Sequence, residues 1–202
     1  MPRIVSIEEG ALGTVKAVAD EGSLFLYRAC YLAMVADTAV PFDVPDDVLA
    51  AAVEATLAES RAVSLLARAE QFRAALERKL LARGMPRAAI AAALDRLEAV
   101  GLLSDDRYAE SWIRQRIRTR AEGPRSLAAA LSARGVDRHA VKRAVAQAFD
   151  GDERREERLE IISRIAVKLL RKGLDRAAAR MELVELGWRR GDIDDAFDSM
   201  EP

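Results

Sequence analysis

Several residue types on which common protein chemistries depend are scarce in this chain of 202 residues. Its single cysteine, Cys30, excludes an intramolecular disulfide and is typical of a reducing compartment. Its single histidine, His139, has no second histidine or cysteine with which to form a zinc site, and no glycine-rich phosphate loop or nucleophile motif occurs. We therefore expect no catalytic residue, no metal and no cofactor. We expect His139 to be a solvated surface residue and Cys30 a small buried residue in a strand.

An excess of charge of either sign is also missing. The 32 lysines and arginines nearly balance the 33 aspartates and glutamates, which gives a net charge of −1. This balance argues against a protein that binds nucleic acid by overall charge alone. No apolar run reaches the length of about 18 residues that spans a membrane, and the N-terminus has no apolar stretch of a signal peptide. We expect a cytoplasmic protein that does not contact membranes.

The chain does contain a repeated helical pattern. Three segments align without a gap in their apolar positions, in a glycine and in the apolar residue that follows it. The glycines are spaced by 51 and 52 residues, and each can take the left-handed conformation that ends a helix. Such a repeat predicts an array of helical units that pack on their neighbours. The aligned positions are Leu76, Leu80, Gly84, Met85, Ile90 and Leu94; Leu127, Leu131, Gly135, Val136, Val141 and Val145; and Ala179, Leu183, Gly187, Trp188, Ile193 and Phe197.

We predict a mostly α-helical chain with a small N-terminal β element, divided into four segments. Residues 1–45 form a β hairpin-like extension that turns at Asp20–Ser23, because short β-branched stretches flank that turn. Residues 46–103 form the first helical repeat with its lead-in helix. Helix is predicted from Asp46 to about Arg83, with a possible break at 69–72 that no good cap residue marks. Residues 104–150 and 151–202 form the second and third repeats, and each repeat has three helices. Ser104-Asp105-Asp106, Asp137, Asp175 and Asp192 are predicted to cap helices.

The middle repeat has a local excess of arginine. Between residues 107 and 125, six arginines face only two glutamates, which gives a local charge of +4 in a nearly neutral chain. Helical spacing places three of the arginines opposite the apolar side of their helix and two toward Trp112, on which they can stack. We expect either a solvated basic face or a surface that binds an acidic partner or phosphates. The candidate site residues are Arg107, Arg114, Arg116, Arg118, Arg120 and Arg125.

Three aromatic residues of the repeats are predicted to pack inside the protein. Tyr108 and Trp112 are expected to anchor the first helix of the second repeat against its neighbours. Trp188 is expected in the core, because it occupies the repeat position of Met85 and Val136.

The segment around residue 104 closely resembles the signature of the RecX regulatory proteins. The resemblance rests on Gly101-Leu102-Leu103-Ser104-Asp105-Asp106-Arg107-Tyr108-Ala109-Glu110-Ser111-Trp112-Ile113-Arg114 and on Gly123-Pro124-Arg125. Leu76-Glu77-x-Lys79-Leu80-x2-Arg83-Gly84 and Leu131-x2-Arg134-Gly135-Val136 are similar to other family segments. The resemblance to the family covers about residues 62–145 well, and it extends to residues 153–200 through the repeat.

This resemblance implies an elongated, curved body of three tandem three-helix repeats and a non-enzymatic modulator of the RecA recombinase. Family members lie in the groove of the RecA–DNA filament and inhibit its ATPase and strand exchange, which implies roles in homologous recombination, DNA repair and the SOS response. We expect a monomer whose partner is the RecA filament, with DNA contacted through phosphates as a further option. The alternatives are a sequence-independent DNA-binding module that uses the central arginines, a scaffold for other proteins and, last, an enzyme.

Overall fold

The computed structural model describes residues 1–32, 39–119 and 122–200. The chain divides into two compact units, Met1–Ser104 and Asp105–Pro202. Within the described residues, a four-stranded antiparallel sheet precedes nine α-helices, so the predicted mostly helical fold with an N-terminal β element is confirmed. No helix of this described part is long and apolar enough to cross a membrane.

The sheet is formed by β1 (Arg3–Glu9), β2 (Thr14–Ala19), β3 (Leu24–Arg28) and the short β4 (Phe42–Asp43), in the order β3-β2-β1-β4. Its inner face packs on the start of the first helix and forms a core with it. The hairpin turn between β2 and β3 lies where it was predicted.

The prediction for Cys30 was wrong. Strand β3 ends at Arg28, and the chain continues as a short 3₁₀ helix, Ala29–Tyr31, that leaves Cys30 exposed. An alternating strand pattern could not be extended through this turn, and Tyr31 and Leu32 provide the apolar contacts instead.

The first repeat consists of α1 (Asp46–Leu66), α2 (Arg73–Leu81) and α3 (Arg87–Ala99). The chain turns between α1 and α2, so helix is not continuous to about Arg83 and the possible break at 69–72 is present. Phe72 lies in this turn in an extended conformation, and its side chain is buried. Its burial, and not a capping side chain, marks the start of α2. Helices α1 and α3 pack closely through alanines, and the repeat's leucines and Ile90 fill the adjoining core.

The second unit contains α4 (Asp105–Thr119), α5 (Pro124–Arg134), α6 (Arg138–Phe149), α7 (Arg155–Arg171), α8 (Arg176–Glu185) and α9 (Arg190–Asp198). Gly84, Gly135 and Gly187 follow the middle helices of the three repeats with φ of 74°, 88° and 95°, which confirms the predicted helix ends.

Two of the predicted caps are confirmed by hydrogen bonds, and one was predicted wrongly. The Asp137 carboxylate accepts from the backbone N–H groups of His139 and Ala140, and the Asp175 carboxylate from that of Ala178. Asp192 lies in the first turn of α9, and the N-cap position is held by Arg189. Asp192 is buried and accepts a hydrogen bond of 2.9 Å from Nε of the buried Arg158.

The expected core position of Trp188 and the exposed position of His139 are confirmed. Trp188 is only 4% exposed, and its ring meets Phe149 edge-on at 5.2 Å. This contact joins the end of α6 in the second repeat to the turn before α9 in the third. The packing of the second repeat on the third brings residues of both repeats to one surface.

Candidate partner-binding site

Helix α4 presents opposite sides to the core and to solvent. Ala109 and Ile113 are buried on one side, while Arg107, Arg114 and Arg118 are exposed, as the helical spacing predicted. The start of α4 is fixed to α6 by acidic residues: Asp106 accepts two hydrogen bonds of 2.8 Å from Arg143, and Asp105 accepts one from the backbone N–H of Asp137. The paired acids are therefore occupied in holding the helix.

Trp112 is half-buried and lies against two guanidinium groups. The Arg116 guanidinium carbon is 4.8 Å and that of Arg134 is 5.2 Å from the ring centroid, a separation typical of cation–π contacts. Arg116 also pairs with Glu122 at 3.3 Å. The predicted stacking of Arg116 on Trp112 is confirmed. The Trp112 side chain packs on α4 but remains partly open to solvent, so it is not a fully buried anchor. Tyr108 is likewise half-buried.

The remaining candidate arginines lie toward the third repeat or outside the described residues. Arg125 is exposed, its guanidinium donates to the carbonyl of Glu185 at 3.2 Å, and its backbone N–H donates to that of Leu186. Arg120 lies outside the described residues. The structure therefore brings Arg107, Arg114 and Arg118 onto one exposed helix face. It assigns Arg116 and Arg125 to contacts within the unit.

A cleft of about 210 Å³ lies beside Arg114, and we call it the α4–α7 cleft. Its floor is apolar and is formed by Ile113, Ile117, Ala144 and Ala148. Its rim is polar and is formed by Glu110, Arg114, Gln147, Arg154 and Glu157. The cleft thus combines residues of α4 and α6 with residues from the start of the third repeat.

Of the residues that line the cleft, only Arg114 was predicted from the sequence as a candidate site residue. Arg154 and Glu157 are about 40 positions away in the chain and join the cleft only because the third repeat packs on the second. Ala148 carries no chemical signal of its own. The helical spacing of Ile113 and Ile117 was recognised, but as core packing.

The side chains exposed on this surface are mainly charged groups that can form ion pairs and hydrogen bonds with a partner. In the part of the chain that the structure describes, no group of three or more histidine, cysteine, aspartate or glutamate residues could hold a metal ion. The exposed cationic groups are guanidiniums, which remain charged at all physiological pH values and donate to carboxylates and phosphates. An apolar floor with a charged rim is the usual composition of a surface that binds another macromolecule.

Comparison with known proteins associates these helices with one family. A family model described as the second three-helix domain of RecX matches residues 104–145, which include α4 and α5 and most of α6. Regulatory protein RecX of Mycolicibacterium smegmatis is 37% identical over 140 residues, which cover 68% of this chain and 72% of that protein. Regulatory protein RecX of Mycolicibacterium vanbaalenii is 42% identical over 97 residues, or 48% of this chain and 53% of the relative, so that the alignment spans about half of the relative's length.

A crystal structure of regulatory protein RecX has a similar fold. The similarity covers 98% of this chain and 100% of that one, with a TM-score of 0.70 and 20% sequence identity. At 20% identity this similarity concerns the fold alone.

Proposed function

The chain belongs to the RecX family of regulatory proteins, and from that premise we propose that it binds in the groove of the RecA–DNA filament and inhibits the ATPase, recombinase and strand-exchange activities of RecA. The observation that carries the assignment to a surface is the exposed row of Arg107, Arg114 and Arg118 on α4. This row lies within the segment that the RecX family model matches.

The positive charge of this arginine row is confined to one helix face, which suits a protein or filament partner. The whole chain has a net charge of −1, so its long-range field does not favour nucleic acid in general. A cluster of guanidiniums on one helix still attracts an acidic surface at short range, where charge complementarity increases the rate and the specificity of association. Arg116 and Arg125 support this face by fixing Trp112 and the third repeat.

The test is a triple substitution of Arg107, Arg114 and Arg118 to alanine. Individual exposed charges contribute little to stability, so we expect the circular dichroism spectrum and the melting temperature to stay close to the wild type. Inhibition of the DNA-dependent ATPase of RecA should require about tenfold more protein or more, since a loss of about 1.4 kcal/mol of binding free energy has that effect.

The matched control changes three exposed basic residues elsewhere in the second unit, Arg138, Lys142 and Lys168, to alanine. It removes the same charge and should inhibit like the wild type. Equal inhibition by both triple variants would remove the arginine row from the mechanism, and an absence of inhibition by the wild type would remove the proposal itself.

Sequence-independent DNA binding is the second candidate function, and the same guanidiniums favour it. The two functions differ in their dependence on salt. Each phosphate contact releases counterions, so that affinity for bare DNA falls steeply, with a slope of about −0.9 per contact in a double-logarithmic plot. A mixed apolar and charged protein interface has a shallower slope and needs RecA. Titration of the filament and of bare DNA between low and physiological salt distinguishes them.

A further inference from the structure

We infer that the α4–α7 cleft is the anchor point for an acidic segment of a protein partner, one of whose apolar side chains enters the cleft while neighbouring carboxylates pair with Arg114 and Arg118. As applied to RecA, this inference rests on the function proposed above. The cleft itself is defined by the packing of the second and third repeats and can be tested without RecA.

The floor of the cleft fits one aliphatic or aromatic side chain. Ile113 and Ala144 are almost fully buried, whereas Ile117 and Ala148 are half-buried and leave apolar surface open to the cleft. An apolar cavity of about 150 Å³ admits benzene, so the volume of about 210 Å³ is sufficient for a single large side chain. Anchors of this kind, seated in a pocket and surrounded by polar contacts, contribute most of the binding energy of many interfaces.

The charged residues on the rim of the cleft determine which charge a bound partner segment must carry. Arg154 and Glu157 pair with each other at 3.6 Å, so their charges largely cancel, which leaves Glu110 and Arg114 as the other charged residues of the rim. Among the residues that the structure describes, no carboxylate lies within ion-pairing distance of Arg114 or of Arg118, which lies one helical turn further along α4. Arg114 on the rim and Arg118 just beyond it outnumber the carboxylate of Glu110 beside the apolar floor. Carboxylates next to the inserted side chain therefore complement the two guanidiniums.

A nucleic acid fits the cleft less well. Its phosphates could pair with the arginines, but binding of single strands relies on aromatic side chains on which the bases stack. None of the described residues that line the cleft is aromatic. The apolar floor would then remain uncovered, whereas a polypeptide can cover it with an apolar side chain.

Two substitutions remove the two features separately, and each has a matched control. Ala148→Phe fills the cleft with the protein's own ring, while Ala129→Phe adds the same ring at an exposed position of α5 outside the cleft. Arg114→Glu reverses one rim charge, while Arg138→Glu reverses an exposed charge at the start of α6. Melting curves establish that all four variants fold.

The first measurement uses a short peptide in which glutamates alternate with a leucine and a phenylalanine, added to isotopically labelled protein. Amide resonances of Ile113, Ile117 and Ala148 should shift in the wild type and in both controls. They should stay in place in Ala148→Phe and should need at least about tenfold more peptide in Arg114→Glu, since close charge pairs across interfaces are coupled by about 1.5 kcal/mol or more. Equal shifts with a peptide in which lysines replace the glutamates, shifts at these amides with an oligothymidylate, or no shift with the acidic peptide would overturn the inference.

The second measurement is binding to the RecA filament. Ala148→Phe and Arg114→Glu should weaken binding by about tenfold or more, with both controls within about twofold of the wild type. Full binding by Ala148→Phe overturns the anchor role of the cleft toward RecA. If the wild type itself does not bind the filament, the proposed function fails, and the peptide titration alone decides on the cleft.

Discussion

Glu59 of α1 is the carboxylate on which the packing of the sheet against the first repeat depends. It is 3% exposed and receives three partners: Nε of Arg28 at 2.9 Å, Nε of Arg96 at 3.3 Å and the hydroxyl of Tyr31, which donates a hydrogen bond of 2.6 Å. Burial of the phenol, and next its hydrogen bond to Glu59, raise the pKa of Tyr31 above its usual value. The three partners come from the end of the sheet and from α3, so this one side chain joins three parts of the unit.

We predict that Glu59→Ala destabilises the protein by about 3 kcal/mol, because loss of one partner leaves buried charge uncompensated. Tyr31→Phe should cost less, about 1–2 kcal/mol, since the carboxylate keeps both arginines. Urea denaturation of the two variants measures the difference. A Glu59→Ala variant with an unchanged midpoint would mean that the arginines recover full hydration when the carboxylate is absent.

Asp137 gives the fold a dependence on acid pH. Hydrogen bonds from the backbone N–H groups of Ala140 and His139 lower the pKa of this carboxyl. Its contribution to stability is therefore complete above the unfolded-state value of 3.8 and is lost as the pH falls through the lower folded-state pKa.

We predict that Asp137→Ala lowers the free energy of unfolding by about 1 kcal/mol at neutral pH, the usual effect of losing such a cap. The difference from the wild type should disappear in strong acid, where the cap is protonated. Thermal melting across this pH range measures it, and a constant difference down to pH 2 would contradict the role of the charge.

Among the helical elements, the turns of the repeats differ in how much space surrounds their glycines. Gly84 and Gly187 both have positive φ, but a Cβ on Gly84 would meet nothing within 4 Å, whereas one on Gly187 would lie 2.9 Å from the Cβ and the backbone nitrogen of Arg125. At Gly123, a Cβ would clash with the carbonyl oxygen of Leu186. The start of α5 and the end of α8 thus approach each other through two glycines.

We predict that Gly84→Ala costs about 1 kcal/mol, from its backbone conformation alone. Gly187→Ala should cost about 2–4 kcal/mol, because overpacking adds to the same backbone term. Chemical denaturation of both variants compares them directly. Equal losses would show that Arg125 moves away without cost.

These elements also show what the sequence can predict. Gly84, Gly135, Gly187 and Asp137 act through their own backbone conformation or a hydrogen bond within the next turn, so their roles were predictable. The end of α1 near Phe72 and the pairing of Asp192 with Arg158 depend on partners distant in the chain, and no local pattern contains them. The same distinction holds in the candidate site, where the arginine row of α4 was predicted and the cleft beside it was not.

At the scale of the whole molecule, the division after Ser104 separates two sets of core residues. The second unit contains its own buried aromatic and aliphatic residues, among them Ile113, Leu131, Ile162 and Phe197. We predict that residues 105–202 expressed alone are helical and unfold cooperatively. Circular dichroism with denaturant measures this, residues 1–104 serve as the companion fragment, and a gradual, non-cooperative loss of helix would contradict it.

The different surroundings of the two tryptophans give the second unit an intrinsic fluorescence signal with two distinguishable components. Trp188 is sealed beside Phe149, so its emission should be blue-shifted and insensitive to quenchers. Trp112 is partly open and lies close to two cationic guanidiniums, which concentrate anions around it. Iodide should therefore quench the red part of the emission more strongly than the neutral quencher acrylamide does at equal concentration. A partner that docks on α4 would shield that component while the emission of Trp188 stays constant, so that its arrival could be timed without any label.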